Sequence, residues 1–219
     1  MKHLKTYTLY ERVSKETKLF ESIDSEINFD KVVEVLSTEC SEFLELLKKW
    51  NIEGIYRGHK IWDDGNIVKG FWNIKPFDNR LSRDTKSSIS KLLDDGLQKK
   101  FGIPLRSKGV FTSKDLSIAK DYGKFKNEAF LFFPKNGFRY FWNPQIDDLY
   151  TELRDNRSWY NKEPFFWSSF EKRQFQEIID GYQEGEIEKV KWQEITFICD
   201  EYYLLDLDYY DKFLNYFIK

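Results

Sequence analysis

Between residues 28 and 50 the apolar positions Val33, Leu36, Cys40, Phe43, Leu47 and Trp50 recur at steps of three and four. That spacing predicts one long amphipathic helix with a single buried stripe. Asn28 is its expected N-cap, since its side-chain oxygen can accept from an otherwise unpaired first-turn amide. Gly54-Ile55-Tyr56-Arg57-Gly58 then reads as a short strand entering a glycine bend. A second helix is signalled by Thr85 as cap, by Ile89, Leu92, Leu93, Leu97 and Phe101 on one face, and by Gly102 at its end.

Beyond Gly102 the signals alternate more quickly. Residues 109–112 read as a strand, 113–122 as a short helix, and 129–133 and 138–142 as strands on either side of Pro134 and Gly137. Ser168-Ser169-Phe170-Glu171 has the spacing of a capping box ahead of Phe175, Ile178, Ile179 and Tyr182, with Gly181 or Gly185 as the stop. The tail, residues 192–207, holds two β-rich runs with Asp200 near their junction. Short strands mixed with irregularly placed helices lack a strand-helix-strand rhythm. The expected class is therefore α+β with a mainly antiparallel sheet, in one domain over 1–219: a helical segment to residue 50 and a core over 51–219.

Composition narrows the classes. The 219 residues carry 35 Lys+Arg against 37 Asp+Glu, a formal charge of −2, which excludes a uniformly basic nucleic-acid coat. Charge is nevertheless uneven: residues 86–126 hold ten basic and four acidic side chains, whereas 184–211 hold two and nine. These segments are either two solvated faces or the two walls of a cleft. Two cysteines and two histidines are too few for a disulfide framework or a Cys/His zinc site, and no metal is expected. No apolar run is long enough for a membrane span or a signal peptide, so the expected location is cytoplasmic. Serine-hydrolase, P-loop, Rossmann and zincin signatures are absent.

Three separated pieces remain. They are Tyr56-Arg57-Gly58, then Val110-Phe111-Thr112-Ser113 followed by Ala119 and Tyr122, then Gln193-Glu194-Ile195-Thr196-Phe197 followed by Tyr202-Tyr203-Leu204-Leu205. In order and spacing they resemble the ADP-ribosyltransferase superfamily, in which an Arg or His, a hydroxyl-rich strand and a Glu surround one NAD molecule. Arg83-Asp84-Thr85 and the Phe101 to Ser107 stretch are similar to bacteriophage members of that superfamily, and a phage or toxin-like setting is what the likeness implies.

The resemblance implies a split antiparallel sheet that binds NAD as substrate and moves its ADP-ribose to a macromolecule, either protein or nucleic acid. Arg57 would hold the phosphates or adjacent ribose with its fork of donors. Gly58 would let backbone approach the nicotinamide carboxamide. Tyr122 would stack on the nicotinamide, a contact of about 0.5 to 2 kcal/mol. Thr112 and Ser113 would offer hydroxyls. Phe111 stands where the family's triplet has its first hydroxyl, the one that braces the glutamate. Glu194 would stabilise the oxocarbenium-like transition state. Glu201, in Glu201-Tyr202-Tyr203, is the competing register, similar to poly(ADP-ribose) polymerases. Trp192 replaces the Glu or Gln of transferases that modify arginine, which disfavours that target.

Each piece also has an ordinary structural use. Arg57 and Glu194 suit strand ends or edges, Ser113 suits an N-cap, and Tyr122 suits a core. The alternative function is thus an inactive module of this fold that binds nucleotide, nucleic acid or a protein.

Overall fold

A computed structural model describes residues 17–18, 27–58, 70–76, 85–122 and 129–218. Its strands are β1 (Thr17–Lys18), β2 (Tyr56–Gly58), β3 (Phe71–Ile74), β4 (Val110–Thr112), β5 (Ala129–Pro134), β6 (Arg139–Trp142), β7 (Gln183–Glu184), β8 (Ile195–Ile198) and β9 (Tyr202–Asp206). The helices are α1 (Phe29–Glu39), α2 (Ser41–Lys49), α3 (Ser87–Phe101), α4 (Leu105–Lys108), α5 (Leu116–Tyr122), α6 (Leu149–Asn156), α7 (Ser169–Gly181) and α8 (Tyr210–Phe213). The class is α+β, with strands ordered β1-β3-β9-β5-β2 in one sheet and β4-β8-β6-β7 in the other. Every strand pairing described is antiparallel.

The helix expected over 28–50 is two helices. Asn28 does cap the first, accepting from the Lys31 amide. The break falls at Cys40, because Asn136, in the turn between β5 and β6, takes over the helix's backbone groups there. Its amide donates to Glu39 O at 2.8 Å, its Nδ2 to Thr38 O, and its Oδ1 accepts from Glu42 N. The apolar stripe survives because Leu36, Cys40, Phe43 and Leu47 all remain fully buried. Two further caps differ from expectation. Lys86 rather than Thr85 occupies the N-cap of α3, without a side-chain bond. Asp115 rather than Ser113 serves α5, its Oδ1 accepting from Ser117 N and Ile118 N. The Ser168/Glu171 capping box forms on α7 as its spacing predicts.

Two apolar cores result. One packs α1 and α2 with the five-stranded sheet, where Phe43 meets Phe132, Phe133 and Phe197 edge-on. The other joins α3, α6 and α7 around Phe141. No described helix is long and apolar enough to cross a membrane.

Among the described residues a β-bridge joins the two sheets: Tyr56 N donates to Ser113 O at 2.8 Å and Ser113 N to Tyr56 O at 2.9 Å. Gly109 makes the approach to β4 possible. A Cβ there would lie 2.2 Å from Thr196 Cγ2 and 2.3 Å from the Leu105 carbonyl oxygen. Thr196 is buried and the carbonyl is backbone, so neither can yield cheaply. Gly109→Ala is accordingly expected to cost about 1 to 3 kcal/mol through overpacking, read as a lower midpoint in thermal unfolding.

Candidate functional site

β2, β4 and the start of β8 meet at the bridge. Arg57 leaves β2 and donates from Nη1 to Phe111 O at 2.8 Å, while its guanidinium lies 5.5 Å from the centre of the Tyr202 ring. Its Nε is buried with no hydrogen-bond partner among the described residues. A buried donor without an acceptor costs about 1 to 3 kcal/mol, so this arginine is positioned at the expense of stability. Gly58 follows it, paired with Ala129.

β4 is fully buried and its register against β8 sets Phe111 opposite Thr196 and Thr112 opposite Ile195. Thr112 spends its hydroxyl on Ile195 O at 3.1 Å. Ser113 is buried too, its Oγ accepting from the Asp115 amide. Both hydroxyls thus hold backbone. Tyr122 closes α5, which lies along β2, but its side chain is outside the described residues. His59, Arg83 and Asp84 are likewise outside them.

Glu194 precedes β8, its backbone amide tied to Asp147 O at 2.8 Å. Its carboxylate receives Arg106 Nη1 at 2.8 Å, and both side chains are 8% exposed. Arg106 in turn lies 4.1 Å from the centre of the Phe111 ring. The start of α4 is pinned from below, because Asp94 Oδ1 accepts from the Arg106 and Ser107 amides. Burial opposes the charge on Arg106, but the adjoining Glu194 carboxylate outweighs it and holds the guanidinium above its ordinary pKa. Tyr182 is buried against the same pair, and its hydroxyl is pushed up by burial. The Glu194 carboxylate is held by a guanidinium that lies over the Phe111 ring.

Glu201 is elsewhere. Its carboxylate meets Lys135 Nζ at 2.6 Å and Asn73 Nδ2 at 3.0 Å, and Lys135 also meets Glu39 at 2.7 Å. These bonds, with Lys135 first, hold the Glu201 carboxyl below its usual range. The register explains the separation. Arg57 pairs with Phe130, which pairs with Asp206, so Arg57 shares a sheet face with Asp206, Leu204 and Tyr202. Asn73 and Tyr203 are paired with each other and belong to the opposite face, the one on which Lys135 and Glu39 gather. The structure joins Arg57 to the 111–113 strand on one side and sets Glu194 next to that strand on the other, and it leaves Glu201 out.

The unevenly charged segments also meet at this place. Arg106 pairs with Glu194, and Lys114 Nζ donates to Val190 O at 2.8 Å, so part of each charge is spent on joining β4 to β8. Burial pushes the Cys199 thiol up to about 12, and nearby Arg57 offsets this only in part, which disfavours the thiolate. No cluster of three or more His, Cys, Asp or Glu among the described residues is placed to hold a metal ion. The sequence alone gave Arg106 no role. In the structure it is a cation one residue after the fully buried Leu105.

No family model matches the chain, and no curated protein or solved structure shows significant similarity to it.

Proposed function

We propose that the chain is an NAD-dependent ADP-ribosyltransferase that moves ADP-ribose from NAD to a macromolecular acceptor. One observation carries the reading. Three stretches far apart in the chain, Arg57, 111–113 and Glu194, are joined by the Arg57–Phe111 bond, the Tyr56/Ser113 bridge and the β4–β8 pairing. A fixed cation and a carboxylate flanking one buried strand are the groups that a dinucleotide carrying anionic phosphates and a cationic ring calls for.

In this reading the nicotinamide–ribose bond breaks with its electron pair passing to the nicotinamide ring, which leaves neutral. The cationic ribose carbon is then captured by an acceptor nucleophile, which gives up its proton. Arg57 serves the phosphates, which pair with its planar fork. Glu194, still paired with Arg106, contributes negative charge beside the ribose and is fixed in place before the reaction, so that little reorganisation is needed. Arg106 is a positioning residue acting through Glu194. With Trp192 two residues before it, Glu194 lacks the arginine-modifying signature, so the acceptor lies among other protein side chains or nucleic acid.

The Arg106–Glu194 pair also favours a second reading. A carboxylate already committed to a buried guanidinium is a structural tie, and the chain would then be a non-catalytic module of this fold. Incubation of the purified chain with adenylate-labelled NAD, together with protein or RNA acceptors, separates the two. Nicotinamide release with label on a macromolecule is expected; NAD left intact with every acceptor class would establish the module.

A further inference from the structure

A groove of about 740 Å³ lies between α3 and α7 beside a short 3₁₀ turn, Pro164–Phe166. Its size falls within the range of about 300 to 1,000 Å³ typical of small-molecule and cofactor sites. Leu92, Trp167 and Phe175 give it an apolar floor, Lys99 and Lys172 place a cation on each helix, and Asp95 adds an acceptor. The groove is held open by fixed helix packing. Gly96 sits so close to Ile179 that a Cβ would fall 2.4 Å from Ile179 Cδ1. Lys100 ties α3 to the end of α7 by donating to the carbonyls of Ile179, Asp180 and Tyr182.

Phe165, which lines the groove, is the first of three exposed phenylalanines within six residues: Phe165 is 87% exposed, Phe166 72% and Phe170 57%. Single exposed rings are common, but three in one short stretch mark a contact surface. Their arrangement indicates what they contact. Phe165 and Phe166 meet edge to face at 5.4 Å, so they present separate ring faces instead of one continuous apolar sheet. Arg173 lies 5.4 Å from the centre of the Phe170 ring. Lys162 pairs with Glu171, Lys86 lies near Glu163 and Lys100 is spent on carbonyls, so Lys99, Lys172 and Arg173 are the cations that groove and ridge offer, beside the acids Asp95 and Asp180.

We infer that this groove and ridge bind single-stranded nucleic acid. One unstacked base enters over Trp167 and Phe175, where Asp95 accepts from a base amino or imino group. Neighbouring bases stack on the exposed phenylalanines, and the phosphates pass Lys99, Lys172 and Arg173. Flat rings with flanking cations suit bases whose faces are free, whereas a duplex hides those faces. This inference stands apart from the NAD reading; where both hold, nucleic acid is the acceptor the surface favours.

The test is fluorescence anisotropy of the full chain with labelled oligo-U RNA, oligo-dT DNA and a duplex, each of about twelve nucleotides. Tight binding of either single strand in preference to the duplex is expected, and comparison of the two strands identifies the sugar. The Phe165→Ala/Phe166→Ala variant should weaken binding at least about tenfold, since each stacked base contributes about 1 to 3 kcal/mol. Lys172→Ala/Arg173→Ala should flatten the slope of log K against log salt by about 1.4, two phosphate contacts at about 0.7 each. All four side chains are exposed, so the variants should unfold at the wild-type midpoint. Failure to bind any oligonucleotide, equal binding of duplex, or binding untouched by either variant would overturn the inference. So would a wild-type dimer, seen by light scattering, that the phenylalanine substitutions dissolve, because the ridge would then seat a second copy.

Discussion

Glu194→Gln should lower NAD cleavage by about 100-fold or more, and Glu201→Gln should leave it at the wild-type level. The first effect follows from charge. The amide keeps the shape of the carboxylate and can still accept from Arg106 Nη1, but it no longer opposes the positive charge that develops on the ribose. Loss of one preorganised electrostatic contact of this kind typically costs about 10²- to 10³-fold in turnover. The second effect follows from register. Glu201 sits with Lys135, Asn73 and Glu39, on the opposite face of the five-stranded sheet from Arg57. Steady-state nicotinamide release by the two variants reads both outcomes. A fall with Glu201→Gln alone would transfer the chemistry to the Lys135 side of the sheet.

Arg106→Met should be the most damaging single change to stability at the site. It leaves the Glu194 carboxylate buried without its guanidinium, and breaking a buried pair from one side costs about 3 to 5 kcal/mol. For a chain of this size that corresponds to a fall of roughly 6 to 20 °C in the unfolding midpoint. Removing both partners behaves differently. Arg106→Met/Glu194→Leu replaces two desolvated charges by apolar groups of similar bulk and should recover most of the loss. Thermal unfolding of the two single variants and the double variant gives the coupling between them. A double variant as unstable as Arg106→Met would mean that Arg106 acts mainly through its contact with Phe111 or its neighbours. The kinetic counterpart separates position from mere scaffolding: Arg106→Lys keeps a cation and should retain part of the turnover, with KM for NAD little changed.

Local signals were the readable ones. Ser168 and Glu171 form a box whose partners lie three residues apart, and Gly102 ends α3 in the left-handed region that its lack of a side chain permits. The break at Cys40 was invisible because its cause, Asn136, is about a hundred residues away in sequence. β3 was missed as a run of only four residues, and α4 likewise as a single turn; both are defined by what they pack against.

The site divides along the same line. Arg57, the 111–113 strand and Glu194 could be singled out by residue type and order. Their joining depends on two backbone bonds between Tyr56 and Ser113 that no periodicity encodes. The place of Glu201 depends on strand parity in β9, since one step of register moves a side chain to the other face. Arg106 became visible only when α4, capped by Gly109, set its guanidinium between Phe111 and a carboxylate 88 positions along the chain.

The most direct test of convergence is a crystal structure of the Glu194→Gln chain with NAD, since that variant binds the dinucleotide without consuming it. The account predicts NAD lodged against the junction of β2 and β4, with a phosphate oxygen within about 3.2 Å of the Arg57 guanidinium and the nicotinamide ribose beside position 194. A dinucleotide lying against Lys135 and Glu201, or a site that stays empty at saturating NAD, would contradict it.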